Sequence, residues 1–238
     1  MKSPRLHQNI ALKIDDEIAL DRCGSHYLAK VLRFPQGQNI ILFNGNGSNY
    51  TAKVLDCKKH IRVKILSKSP DLVESKLNLT LVQGIAKGEK MDFLLQKAVE
   101  LGVNKIVPIV SKRCVVRLDA DKSQKRQAHW QKIIISACEQ SERCVLPEIL
   151  PIMALEQWLQ QPVENGFVLH QRAEKTLLEL DFIAKATILI GPEGGLSEAE
   201  ISNAVAANYQ PLLLGKRVLR TETASLAAIA NMQLLWGS

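Results

Sequence analysis

An α/β fold with a mostly parallel sheet, preceded by a small all-β domain, is predicted by three observations. Up to about residue 70 the apolar residues come in short runs with period two and turn-forming residues between them. From Leu77 onward, short apolar runs alternate with stretches of helical periodicity, the pattern of strands joined by crossover helices. Between the two lies Ser67–Lys76, polar, aperiodic and containing Pro70. The expected organisation is a β-barrel over residues 1–70, a linker over 71–76 and an α/β domain over 77–238.

In the first part, Gln38–Phe43 is a strand, and Asn44-Gly45-Asn46-Gly47 is a hairpin turn, because Asn-Gly tolerates the positive φ such turns require. Ser48–Leu55 returns as the partner strand, and Ile61, Val63 and Ile65 mark a third. His26–Phe34 is the helical candidate, with Leu28, Val31 and Leu32 on one face. In the second part, strands are predicted over Leu77–Gln83, Lys105–Val110, Phe167–Leu169, Thr187–Ile190 and Pro211–Leu214. Helices are predicted over Glu89–Leu101, closed by Gly102, and over Gln127–Arg143, Ser197–Ala207 and Thr223–Trp236. Ser197 and Glu200 have capping-box spacing. No internal repeat is visible.

The 238 residues are 46% hydrophobic and 23% charged, which excludes a disordered or fibrous chain. No apolar run reaches the ~20 residues of a spanning helix, and Met1–Asp21 lacks the apolar core of a secretion signal. Cys23, Cys57, Cys114, Cys138 and Cys144 are scattered with no C-x-x-C, as expected of reduced thiols in a cytoplasmic protein. The five histidines are isolated and no H-E-x-x-H occurs, so no metal site is expected, and without a spanning apolar run no membrane partner is expected. The net charge of +7 is uneven: residues 1–75 carry +5, residues 76–160 carry +4, and residues 161–238 carry −2. Lys105–Lys132 alone holds eight Lys and Arg against Asp119 and Asp121. That distribution reads as a polyanion footprint beside a separate, less basic site.

Thr187–Gly195, TILIGPEGG, runs a buried strand into a glycine-rich loop and then a capped helix. In open α/β sheets ligands sit beyond the carboxyl ends of strands, and glycines there allow close approach to backbone groups. Neither a dinucleotide fingerprint nor a P-loop is present. Leu213–Ala224, LLGKRVLRTETA, repeats the arrangement, so two glycine loops can wall one pocket, with Arg220 and Glu222 at its rim.

IGPEGGLSEAE followed by LGKRVLRTETA resembles the C-terminal motifs of bacterial small-subunit ribosomal RNA uridine N3-methyltransferases, of the knotted SPOUT class. GEKMDFLLQKAVELGVNKIVP, ACEQSER with Pro147, and HYLAKVLRF are similar to that family too, so the likeness spans nearly the whole chain in order. The resemblance implies an N-terminal PUA-like β-barrel, a C-terminal trefoil-knotted domain, a homodimer and S-adenosylmethionine as methyl donor. The substrate it implies is uridine N3 in 16S ribosomal RNA, free or within the small subunit. It places the cofactor at Leu169 and His170, at Ile190, Gly191, Glu193, Gly194 and Gly195, and at Leu214, Gly215, Val218, Leu219, Thr221, Thr223 and Ala224. Two other readings stand beside it: a SPOUT enzyme acting on a ribose 2′-hydroxyl or on tRNA, and a non-catalytic ribosomal RNA-binding assembly factor.

Methylation at uridine N3 requires loss of the N3 proton and stabilisation of a base anion. Glu139 is the candidate base and Arg143 or Arg220 the candidate cation, with Glu222 a second base candidate. Glu139 and Arg143 at i,i+4 spacing also read as an ordinary helix pair worth about 0.3–0.5 kcal/mol. Aromatic residues total only 5%, so RNA binding should rest on phosphate contacts rather than a stacking platform. The candidates are Arg5, His26, Lys30 and Arg33 in the barrel, and Lys112, Arg113, Arg117, Lys125, Arg126 and Gln140 in the α/β domain.

Overall fold

Apolar residues at every second position build the first unit. The structure, a computed structural model, describes residues 3–56, 60–70, 73–115 and 120–238; Cys57, Arg117 and residues 71–72 of the expected linker lie outside the described residues. Strands β1 (Arg5–His7), β2 (Glu17–Ala19), β3 (Asn39–Phe43), β4 (Ser48–Asp56) and β5 (Arg62–Pro70) form a five-stranded sheet in the order β1-β3-β4-β5-β2. β1 pairs with β3 in parallel, and the other pairings are antiparallel. Tyr50, Ala52 and Val54 of β4 meet Ile40, Leu42, Val63 and Ile65 in a single core, the inward half of each alternating strand. The Asn-Gly turn connects β3 to β4 as expected, with Gly45 and Gly47 at φ 86° and 77°. β5 extends to Pro70, opposite Ser48. Its last five residues are exposed, so the strand has no apolar alternation there and reads in sequence as a linker.

The segment expected to be one helix is two different windings. Helix α1 (Arg22–His26) is capped by the Asp21 carboxylate, which accepts from Gly24 N at 2.6 Å, and it continues as a π-turn over Tyr27–Val31. Wider winding breaks the 3.6-residue face: Leu28 is fully buried, while Val31 and Leu32 are exposed.

The second unit is a seven-stranded sheet. Its strands are β6 (Asn78–Gly84), β7 (Lys105–Val110), β8 (Glu148–Ile149), β9 (Met153–Ala154), β10 (Gly166–Leu169), β11 (Lys185–Ile190) and β12 (Tyr209–Leu212). The order is β12-β10-β11-β6-β7-β8, with β9 also on β7, and every pairing is parallel. β6 and β11 are central and buried on both faces apart from their first residues, as a covered parallel sheet requires. Helix α4 (Leu155–Trp158) and helix α5 (Glu198–Ala206) close one face, where Leu155, Trp158, Ile201 and Ala204 meet Val82, Val107, Val168 and Leu189. Helix α2 (Glu89–Glu100) packs against helix α6 (Thr221–Trp236), which also touches β11. The two-residue strands and α4 are too short to carry a period, and the sequence did not announce them. Among the described residues no helix is long and apolar enough to cross a membrane.

Helix α3 (Ala120–Ser141) starts earlier than expected because its first turns are polar, and it stops at Glu142, which turns to φ 68°. Residues 138–146 cluster with residues 1–74, not with the second unit as expected; the second unit is 75–137 with 147–238. The reason is specific bonding. The Glu139 carboxylate accepts from His7 N at 2.9 Å, the Arg5 guanidinium donates to the carbonyls of Glu142 and Arg143, and Gly47 N donates to Cys144 O. Arg143, only 3% exposed, makes a two-pronged pair with Glu74 at 2.8 Å in each prong. Removing one partner of such a buried pair typically costs about 3–5 kcal/mol. The expected Glu139–Arg143 helix pair does not form, since Arg143 lies past the helix end and is held by Glu74.

A Cβ at Gly84 would collide with the Pro192 backbone nitrogen and lie 2.8 Å from Gly191 C. Gly84→Ala is expected to lower unfolding stability by about 1–3 kcal/mol in urea denaturation. Burial pushes the Glu139 carboxyl above the ordinary glutamate range; the His7 amide partly offsets this, Asp21 adds to it and Arg5 opposes it. A raised folded value means stability present in acid and lost as pH rises through that value. Glu139→Gln is therefore expected to be more stable than wild type at neutral pH, with the gap closing in acid, by urea denaturation at both.

Candidate functional site

Three neighbouring strands of the second unit, β12, β10 and β11, release their chains at the same edge of the parallel sheet. The segments that follow them enclose a cavity of about 370 Å³, within the range of small-molecule sites. Leu169 and His170 enter from β10, Ile190 to Gly195 from β11, and Leu214, Gly215, Val218 and Leu219 from the segment after β12, with Thr221 and Ala224 from α6. Apart from Pro192, these are residues at which the family resemblance implies the cofactor. Thr223 was expected too, but it is exposed and does not line the cavity, because the helical turn directs it away from Thr221 and Ala224.

The walls combine leucine and isoleucine side chains with backbone polar groups. Gly195 sits at φ 66° and Gly215 at φ 142°, conformations that favour glycine, and each has open space where a Cβ would point. An adenosyl ligand needs that combination of apolar walls and accessible backbone, so these residues fit it. The rim carries charges that the sequence reading did not assign to this pocket: Arg113, Arg172, Glu198 and Arg217. Arg172 pairs with Glu198 at 3.3 Å, an exposed bridge of little energetic weight. Arg172 lies two residues beyond His170, and Arg217 lies inside LGKRVLR, so both stand next to residues the motifs had marked.

The Gly-Pro-Glu-Gly-Gly loop is held from several sides. Thr221 Oγ1 donates to Gly191 O at 2.7 Å and accepts from Gln83 Nε2 at 3.0 Å. The Glu193 carboxylate accepts from Lys87 N at 2.9 Å and has Lys90 Nζ at 3.7 Å. Burial raises the Glu193 carboxyl, but the amides of Lys87 and Glu193 and the Lys90 ammonium outweigh it, so the carboxyl is held below its ordinary value. Arg113 Nη1 donates to Gly194 O at 3.1 Å and Leu196 O at 3.3 Å. The expected capping box is present: Glu200 Oε2 accepts from Ser197 N at 2.7 Å, and Ser197 Oγ accepts from Glu200 N. The other Glu200 oxygen accepts from Lys112 N at 2.7 Å. Burial opposes ionisation of Glu200, yet the amides of Ser197 and Lys112, the Ser197 hydroxyl and the Arg113 charge hold it low.

The remaining candidates are dispersed. Glu139, Gln140 and Arg143 belong to the first unit, where Glu139 and Arg143 have the partners given above and Gln140 is exposed. Arg220 is the exposed residue preceding α6, and its side chain makes no capping bond. Glu222 does not bond to the loop; its Oε2 is buried with no hydrogen-bond partner among the described residues. Arg5 is partly buried, bonded to Asn49 Oδ1 and lying over the Phe43 ring. His26, Lys30, Arg33, Lys112, Arg113 and Lys125 are exposed, and Arg126 is half-buried.

Residues 73–233 match the model of an RNA methyltransferase domain, and residues 24–66 match an RNA methyltransferase PUA domain. A ribosomal RNA small subunit methyltransferase E of Buchnera aphidicola subsp. Schizaphis graminum is 37% identical, over 98% of this chain and 97% of that one. The structure of the Neisseria gonorrhoeae ribosomal RNA small subunit methyltransferase E bound to S-adenosyl methionine is 42% identical and superposes with a TM-score of 0.93 over 99% of both chains. A Legionella pneumophila methyltransferase solved with the cofactor SAM is 35% identical with a TM-score of 0.96 over the full length of both. With its PUA and methyltransferase units both matched, and with the cavity at the strand ends of the latter, the chain belongs to the ribosomal RNA small subunit methyltransferase E family.

Proposed function

We propose that the protein methylates N3 of a uridine in 16S ribosomal RNA, using S-adenosylmethionine held in the cavity beyond β10, β11 and β12. The observation that carries this reading is the pair of glycine loops with open Cβ positions at Gly195 and Gly215, in a chain whose relatives were solved with that cofactor. When bound, the cofactor supplies an activated methyl group. The protein's part is then to position donor and base and to stabilise the uridine anion.

Leu169, Ile190, Leu214, Val218 and Leu219 exclude water from the ligand, while the loop backbones orient its polar ends. Arg143 is buried in its pair with Glu74, which supports Arg220 as the cation beside the uridine carbonyls. The raised carboxyl of Glu139 suits a base, since it holds a proton more readily than an exposed glutamate. RNA docks by phosphate contacts to the exposed cations Lys30, Arg33, Lys112, Arg113 and Lys125, with His26, Gln140, half-buried Arg126 and Arg5 beside them. The enzyme works in the cytoplasm as a homodimer, a reading that the exposed apolar Leu234 and Leu235 near the end of α6 support.

Calorimetric titration with S-adenosylmethionine is expected to show one saturable site, and ribosomal RNA from a deletion strain is expected to lose N3-methyluridine by nucleoside mass spectrometry. Absence of binding by folded protein would overturn the enzyme reading, and full retention of N3-methyluridine would overturn the product. Loss of a 2′-O-methyl or tRNA mark instead would select the related knotted activity. Gly195→Ala is expected to weaken cofactor binding at least tenfold, since backbone strain of about 1–3 kcal/mol adds to a methyl placed in the ligand's approach. Unchanged affinity in the same titration would make Gly195 a turn residue only.

A further inference from the structure

Arg113 stands where two surfaces meet. It lines the cavity, and its Nη1 holds two carbonyls of the loop that forms the cavity wall, Gly194 O at 3.1 Å and Leu196 O at 3.3 Å. Gly194 packs directly on it: a Cβ there would lie 3.0 Å from Arg113 Cβ. Yet Arg113 is exposed and sits in the basic segment after β7, the neighbour of β6 and not of β10 or β12. Adjacent Lys112 is fastened to the same region through its amide to Glu200. The segment after β7 and the outer side of the cofactor loop are therefore one bonded assembly.

A guanidinium has five N–H donors in a rigid plane. The two hydrogens of Nη1 match the two loop carbonyls. Nε and Nη2, which form the opposite edge, make no hydrogen bond among the described residues. That edge has the spacing of two phosphate or carboxylate oxygens. Because the group is planar, fixing either edge orients the other.

On the premise of the cofactor and RNA reading above, we propose that Arg113 couples the two ligands: its Nε/Nη2 edge binds an RNA phosphate while Nη1 holds the cofactor loop. RNA docking then tightens S-adenosylmethionine binding, and the cofactor tightens RNA binding by the same factor, since coupling between two binding sites is reciprocal. Arg113 is a positioning residue in this scheme and does not touch the reacting atoms. A lysine keeps the charge but not the plane, so it can reach the carbonyls or the phosphate without orienting one by the other.

The test is titration of S-adenosylmethionine into the full-length protein with and without saturating single-stranded oligouridylate. Wild type is expected to bind the cofactor roughly fivefold or more tightly with the oligonucleotide present. Arg113→Lys is expected to weaken cofactor binding in the absence of RNA and also to bring the ratio toward one, with an unchanged melting temperature confirming the fold. A purely structural arginine would weaken both titrations equally and leave the ratio intact. Arg126→Ala, which removes the same charge elsewhere in the basic segment, is expected to weaken oligouridylate and keep the ratio. A wild-type ratio of one, a wild-type ratio retained by Arg113→Lys, or a ratio lost equally in Arg126→Ala would each overturn the coupling while leaving the enzyme reading intact. Failure of wild type to bind S-adenosylmethionine at all would overturn both.

Discussion

The end of β6 and the loop leaving β11 approach so closely that no Cβ fits at Gly84, and beside that contact lies the fully buried Gln83 amide. Gln83 Nε2 donates to Thr221 Oγ1 and to Gly84 O, and its Oε1 accepts from the Ser225 hydroxyl at 2.6 Å. Thr221 in turn donates to Gly191 O. One side chain thus ties the central strand, the glycine loop and the first turns of α6 together. Each of these polar groups would cost about 1–3 kcal/mol if buried without a partner, so the network specifies one arrangement of three segments distant in sequence. The cavity follows from it. The β11 loop and the segment leading into α6 are two of its walls, and both are fixed at their roots by Gln83 and Thr221.

The legible parts of this design were those with a local physical cause. The Asn-Gly hairpin, the Ser197–Glu200 capping box, Gly102 at the end of α2 and the two glycine loops each depend on residues a few positions apart. What the sequence left dark depends on long-range bonds. Nothing near Glu139 announces that its carboxylate will accept an amide proton from His7, or that Arg143 will be buried against Glu74. Helical spacing made the two look like partners, but α3 ends between them and each turns to the first unit. Likewise the π-turn at Tyr27–Val31 defeats a reading at 3.6 residues per turn. Gln83 gave no signal beyond being polar at the end of a buried strand.

Titration behaviour divides along the same lines. In the first unit burial dominates: it lifts the Glu139 carboxyl, lowers the His7 imidazole against the pull of Asp21, and pushes the Cys138 thiol up to about 12. Glu139 therefore contributes stability that fades as pH rises above the ordinary glutamate range. His7 contributes stability that fades as pH falls below the ordinary histidine range. In the second unit the loop carboxylates behave oppositely. Glu193 and Glu200 are partly buried, yet amide donors and nearby cations hold both below their ordinary values. Their contribution is present above the unfolded glutamate range and is lost only as pH falls through the depressed folded values. The tethers from Glu193 to Lys87 and from Glu200 to Lys112 are consequently intact throughout the neutral range. A cavity wall that must present the same backbone geometry at every turnover is better built from such pinned carboxylates than from groups that titrate near neutrality.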